Sequence, residues 1–176
     1  MKKSKLLIVP TFVFLLCCSN STKVDKTIEE SVQLTDEQAM DQVQKDAIKY
    51  FWDYAEPNSK LGRERYHTDD PSFEANKVTT GGSGFGLMSL IVGVERGFIP
   101  RDEAVTRMTT AMDFLGKADR FHGAWSHWMD GTTGKAISFG NKDDGGDIVE
   151  TAFLCQGLIA VREYFKNGNA QEKALS

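Results

Sequence analysis

Ile148-Val-Glu-Thr-Ala-Phe-Leu-Cys-Gln-Gly-Leu-Ile-Ala-Val161 carries a single charged side chain, Glu150, before Arg162 and Glu163. It predicts a helix over about Asp147 to Phe165. A helix that is apolar on most faces cannot display a polar side to water, so it must be buried nearly all round. A second stretch reads the same way. Gly84-Phe-Gly-Leu-Met-Ser-Leu-Ile-Val-Gly-Val94 has no charge until Glu95 and stops at Gly97, which predicts another buried helix over about Ser83 to Arg96. Gly84, Gly86 and Gly93 weaken its intrinsic helicity, and their use is close approach of neighbouring backbones. A buried strand is the competing reading.

Two further helices are one-sided. Thr35-Asp-Glu-Gln38 matches a capping box, and Met40, Val43, Ala47, Phe51 and Tyr54 follow at helical spacing until Pro57 ends the run. After Pro100, Arg101 to about Lys117 sets Ala104, Val105, Met108, Ala111, Met112 and Leu115 on one stripe. The order is half-exposed, buried, half-exposed, buried. An α/α toroid repeats that alternation, with inner helices lining a ring and outer helices around them. A self-contained four-helix bundle is the alternative, but it offers each helix one buried stripe and would be overfilled by two helices apolar on nearly every side. The predicted fold class is therefore all-α, an incomplete (α/α)6 toroid with about four of twelve helices. On that expectation the 176-residue chain is a truncated product, residues 35–176 being the N-terminal part of a larger helical domain.

Ahead of the helices, Met1-Lys-Lys-Ser-Lys5 and the apolar run Leu6 to Leu16 read as a signal peptide, too short to span a bilayer. The run ends at Cys17-Cys18 and turns polar, like a bacterial lipobox. Residues 1–18 are thus predicted to be a lipoprotein leader with Cys18 as the lipid anchor, and 19–34 a polar tether. A plain signal peptide cleaved nearby is the other possibility. The predicted location is the cell envelope, with the membrane as a partner through the lipid. Twenty-one Lys+Arg against 25 Asp+Glu give a net charge of −4, and the leader holds three of the cations. An acidic chain argues against nucleic acid as a partner. Three cysteines, Cys17, Cys18 and Cys155, do not form a paired disulfide framework.

Between the third and fourth helices, Asp119 to Gly146 includes Gly123-Ala-Trp125-Ser-His127-Trp128-Met-Asp130-Gly-Thr-Thr-Gly134. Asp-Gly and Thr-Gly between short apolar pieces predict a hairpin-like loop turning near Asp130 to Gly134. So long a connection in a helical domain is more often functional than passive. It leads to Asp143-Asp144-Gly-Gly-Asp147-Ile-Val-Glu150, where carboxylates crowd the start of an otherwise apolar helix. Asp147 and Glu150, three apart, would share one face. They have two readings: caps that offset the helix dipole, or catalytic carboxylates beside Trp125, His127 and Trp128 as substrate-binding groups, aromatic faces next to acids being what sugar-cleaving sites use. Trp125 and Trp128 are as readily core. An inverting glycosidase needs its acid and base ~6.5–9.5 Å apart across the scissile bond, so at least one essential carboxylate is expected beyond Ser176.

Other motifs carry less. Gly81-Gly-Ser-Gly-Phe-Gly86 lacks the Gly-Lys-Ser/Thr of a phosphate loop. The three histidines have no zinc spacing, and Asp143, Asp144 and Asp147 lack a calcium-loop register. No metal and no cofactor are expected.

Thr80-Gly-Gly-Ser-Gly-Phe-Gly-Leu-Met88, Ile91-Val-Gly-Val-Glu-Arg-Gly-Phe98, Gly123-Ala-Trp-Ser-His-Trp128 and Gly146-Asp-Ile-Val-Glu-Thr-Ala-Phe-Leu154, in that order, resemble the N-terminal portion of the glycoamylase-like glycoside hydrolases of Bacteroidetes, a group that includes endo-β-1,2-glucanases. The resemblance implies an (α/α)6 toroid, an inverting mechanism and an oligo- or polysaccharide substrate, with Asp147 and Glu150 matching an active-site Asp-x-x-Glu pair. It favours β-1,2-linkages. A non-catalytic sugar-binding lipoprotein and an inactive remnant remain the alternatives.

Overall fold

The computed structural model describes residues 33–176. The leader 1–18, its lipid-anchor residue Cys18 and almost all of the 19–34 tether lie outside the described residues. The helices are α1 (Asp36–Trp52), α2 (Thr80–Glu95), α3 (Arg101–Lys117), α4 (Ile148–Phe165) and the short α5 (Ala170–Lys173). The strands are β1 (Lys77–Thr79), β2 (Arg120–Phe121), β3 (Ala124–Trp125), β4 (Trp128–Asp130) and β5 (Ala136–Ile137).

Local chemistry sets the helix ends. Gln38 N donates to Thr35 Oγ1 at 3.2 Å and Thr35 N to Gln38 Oε1 at 2.9 Å, the reciprocal capping box. α2 stops because Gly97 takes φ +67°, which lets Gly97 N reach Val94 O at 3.0 Å and Phe98 N reach Gly93 O at 2.8 Å, a Schellman stop. Arg107 donates to the carbonyls of Phe51 and Trp52 at the end of α1, a cation where the last carbonyls are unpaired.

α2 is a helix, which removes the strand reading. It runs parallel to α4, because Gly81 meets Glu150, Gly84 meets Leu154 and, farther along both, Glu95 meets Tyr164. The two backbones touch through glycines: a Cβ added at Gly84 would stand 2.7 Å from Leu154 Cα, and one at Gly157 would stand 2.8 Å from Gly84 Cα. α1 runs the other way, with Phe51 against Gly86, Ile48 near Gly93 and Asp41 paired with Arg96. α3 buries Ala104, Val105, Met108, Ala111 and Leu115, and the core continues through Leu154, Val161 and Phe165 of α4.

Three expectations change. The fold is helix-rich but not purely helical: β1-β4-β5 form one antiparallel sheet and β2-β3 a second. The predicted hairpin is β4-β5, with Trp128 opposite Ile137. β1 and β2-β3 are two- and three-residue pieces too short to show a period. Second, Met40, Val43 and Ala47 of α1 are exposed and Ile48 is buried, because α1 meets α2 along the Ile48–Phe51 line. Third, α2 and α4 are not buried all round. Ile148 is 79% and Ile159 52% exposed, and Phe85, Val92, Val149 and Phe153 are exposed too. α2 and α4 cover each other and α1 and α3 pack from one side, while nothing among the described residues covers the other.

Candidate active site

Parallel packing brings the N-termini of α2 and α4 together, where both helices present amides without a partner in their own helix and the positive end of the dipole. The sheet fills the space beside them. β1 runs directly into α2, β4 pairs with β1, and the chain just before β4 is pinned to both helices: Thr80 N donates to His127 O at 3.1 Å, and Asp147 N donates to Trp125 O at 2.7 Å.

Asp147 is the N-cap of α4, outside its first turn. Its Oδ1 accepts from Val149 N at 2.9 Å and Glu150 N at 3.0 Å, and its Oδ2 lies 2.9 Å from His127 Nδ1. The expectation that Asp147 and Glu150 sit on one helical face is corrected accordingly, since Asp147 has extended backbone angles and its side chain turns back over the amides. Burial opposes ionisation of Asp147, but the hydrogen bonds from Glu150 N, His127 and Val149 N outweigh it and hold the carboxyl below the usual carboxylate range.

Glu150 reaches across to α2. Its Oε2 accepts from Gly81 N at 2.8 Å and, more weakly, from Thr79 Oγ1 at 3.5 Å. Thr79 makes no side-chain cap of its own helix, so Glu150 takes that role from outside. Gly81 leaves room for this placement: a Cβ there would stand 2.6 Å from Glu150 Oε2, and the carboxylate would have to shift. Glu150 Oε1 accepts no hydrogen bond among the described residues and is not among the buried unpaired atoms, so it is open to solvent.

His127 lies face-on against Phe139, ring centroids 4.0 Å apart, and edge-on to Trp128 at 5.4 Å. Trp128 is half-buried and packs against Phe139 at 4.8 Å, with Lys77 Nζ 4.5 Å over its ring. Trp125 goes the other way. It is 9% exposed, and its indole N–H donates to Leu115 O at 3.1 Å, so of its two readings the structure gives the core and not a sugar platform. Phe139, Thr79, Gly81 and Lys77 are the neighbours that sequence reasoning left out of the site. The Gly81–Gly86 run carried a signal, but as close helix packing.

The remaining acids and histidines stay apart. Asp143 forms a tight turn with Gly140, His67 packs on Phe73, and His122 sits in the turn between β2 and β3 with φ +50°. Glu56 is buried but satisfied by Asn58 and Ser59. Among the described residues no three His, Cys, Asp or Glu side chains are grouped to hold a metal, and no helix is long and apolar enough to cross a membrane. A cleft of about 630 Å³ lined by Asp41, Lys45, Trp52, Arg96 and Phe98 lies at the opposite end of α2, ~24 Å away at 1.5 Å per residue.

The chain is 50% identical over 143 residues to an exo β-1,2-glucooligosaccharide sophorohydrolase (non-reducing end) of Parabacteroides distasonis, which covers 81% of this chain and 19% of that protein. Among solved structures it is similar to an endo-β-1,2-glucanase from Chitinophaga pinensis in complex with sophorotriose and glucose, at 54% identity and TM-score 0.78, covering 81% of this chain and 35% of the other. A β-1,2-glucanase from Parabacteroides distasonis matches at 50% identity and TM-score 0.75, over 81% of this chain and 20% of its own. The chain thus spans between about a fifth and a third of these relatives. No family model matches it.

Proposed function

Since this segment is homologous to a stretch of the β-1,2-glucan hydrolases of Bacteroidetes, we propose that it forms part of a glycoside hydrolase catalytic domain that cleaves β-1,2-linked glucan. The observation that carries this reading is the identity of 50% over 143 residues with a sophorohydrolase, a stretch long enough to include the paired helix N-termini. The arrangement there supports it: the Glu150 N–H and His127 both hydrogen-bond Asp147, and the imidazole packs on Trp128 and Phe139.

On this reading the domain is an (α/α)6 toroid. α2 and α4 are inner helices and α1 and α3 outer ones, and the uncovered apolar faces of α1, α2 and α4 are where the remaining helices pack. Asp147 and Glu150 are its candidate active-site carboxylates, Glu150 the one free to react, and Trp128 and His127 line the sugar cleft. Hydrolysis is inverting: a carboxylate activates water on one side of the sugar, and a carboxylic acid protonates the departing oxygen from the other. Both side chains named here approach from one end of the inner helices, so the opposing acid belongs to residues outside this stretch. We place the protein at the cell envelope, anchored through lipid on Cys18. Mutation of Cys18 to Ala is expected to move it from the membrane fraction to the soluble one.

The test is release of reducing ends from β-1,2-glucan by the complete reading frame that carries this segment. Cleavage that falls at least ~100-fold in Glu150→Gln supports the reading. Sugar binding with no cleavage would replace it with the non-catalytic alternative.

A further inference from the structure

We propose that Asp147 is the positioning residue for His127: it fixes the imidazole as the Nδ1–H tautomer, so that Nε2 stands as a hydrogen-bond acceptor for a sugar hydroxyl beside Trp128 and Phe139. The ligand named here rests on the β-1,2-glucan reading above; the tautomer does not.

An ionised carboxylate only accepts hydrogen bonds. Both oxygens of Asp147 are occupied, Oδ1 by two backbone N–H groups and Oδ2 by His127 Nδ1 at 2.9 Å. Nδ1 must therefore carry the proton. A neutral imidazole has one, so Nε2 is left with its lone pair. That atom has no partner among the described residues and is not among the buried unpaired atoms, so it faces solvent, on a side chain 23% exposed overall. The ring cannot readily turn over. Phe139 lies against its face with planes 30° apart and Trp128 abuts it at 89°, and a half-turn would put a C–H against the carboxylate. The result is one acceptor held beside an aromatic pair, the combination that suits a sugar with its hydroxyl donors and apolar faces.

Asp147 has no such freedom for proton transfer. Three of its roughly four acceptor positions already hold donors, and the hydrogen bonds that hold it ionised make it a weak base. Glu150, with Oε1 open, is the member of the pair that can act on water. The two acids thus differ in kind: Asp147 orients, Glu150 reacts.

Asp147→Asn tests the division. The amide oxygen can still cap α4, while the amide N–H₂ faces His127 Nδ1 as a donor and forces the imidazole proton to Nε2, turning an acceptor into a donor. Imidazole ¹⁵N spectra of the protein made from the complete reading frame that carries this segment, in which sugar affinity is also read, should report Nδ1–H in the wild type and Nε2–H in Asp147→Asn. Affinity for sophorotriose, read by calorimetry, should fall about tenfold, the worth of one well-placed hydrogen bond. His127→Gln offers an amide oxygen near the same place without needing Asp147, so adding Asp147→Asn to it should leave affinity unchanged. A merely structural cap would instead weaken both backgrounds equally, and that result, or an Nε2–H tautomer in the wild type, overturns the proposal. If the wild type shows the Nδ1–H tautomer but no affinity for sophorotriose, the glucan reading and the ligand named here fall together, and the positioning of His127 by Asp147 stands.

Discussion

Asp147 satisfies two demands with one carboxylate, closing the first turn of α4 and holding His127. Asp147→Ala removes both and is expected to cost ~1 kcal/mol in urea unfolding, against a few tenths for Asp147→Asn, which keeps a capping oxygen. The acid limb of stability follows from the same bonds. Because the folded carboxyl sits below its ordinary range, the unfolded chain binds this proton at higher pH. The contribution is then complete above the unfolded pKa of about 3.9 and is lost as pH falls through the folded value. Between about pH 5 and pH 2, Asp147→Asn should show a flatter stability profile than the wild type. Trp125 and Trp128 separate by the same kind of reasoning. Trp125→Ala should cost ~3–5 kcal/mol as a buried ring lost from the core, with sugar affinity moved only through the fold. Trp128→Ala should cost less stability and more affinity. Both tryptophans stand in one short segment, and neither spacing nor residue type told which ring points inward; pairing of β4 with a strand that came from another loop decided it.

Among elements, α2 and α4 meet backbone to backbone at Gly84 and Gly157, where no side chain fits. Gly84→Ala or Gly157→Ala would force backbones apart, and each is expected to destabilise by ~1–3 kcal/mol. Gly116, in α3 with nothing within 4 Å of an added Cβ, supplies the control: Gly116→Ala should stabilise by ~0.5–1 kcal/mol. Thermal or urea unfolding of the three variants checks the contrast. The helices were legible to different depths. α3 matched its predicted limits because Pro100 and the Ala104–Leu115 stripe mark it fully; α4 differed by its cap residue, α1 stops at Trp52, short of the Tyr54 to which its spacing ran, and α2 begins at Thr80, three residues before the expected Ser83. The face of α1 was not legible, because Met40, Val43, Ile48 and Phe51 are all apolar and only the approach of Gly86 and Gly93 selects the buried line. Glu150 was singled out, but its partner Gly81 was not, since the contact joins residues 69 positions apart.

For the molecule as a whole, apolar composition in α2 and α4 predicted burial on all sides, and the described residues supply only one. On the toroid proposed above, the same surplus is what inner helices require. The chain alone should therefore bind a hydrophobic dye and self-associate, and Ile159→Glu should reduce both with a change in stability within ±0.5 kcal/mol, the range for an exposed site. Sedimentation and dye fluorescence check this. The helix alternation on which the proposed toroid rests was readable because it depends on composition averaged over whole helices.

The most direct measurement is amide and side-chain NMR of the protein made from the complete reading frame, labelled in this segment, during titration with sophorotriose. Perturbations gathered at His127, Trp128, Phe139, Gly81 and Glu150 are the predicted result. Perturbations confined to the Trp52–Phe98 cleft at the far end of α2, or none at saturating sugar, would contradict the account.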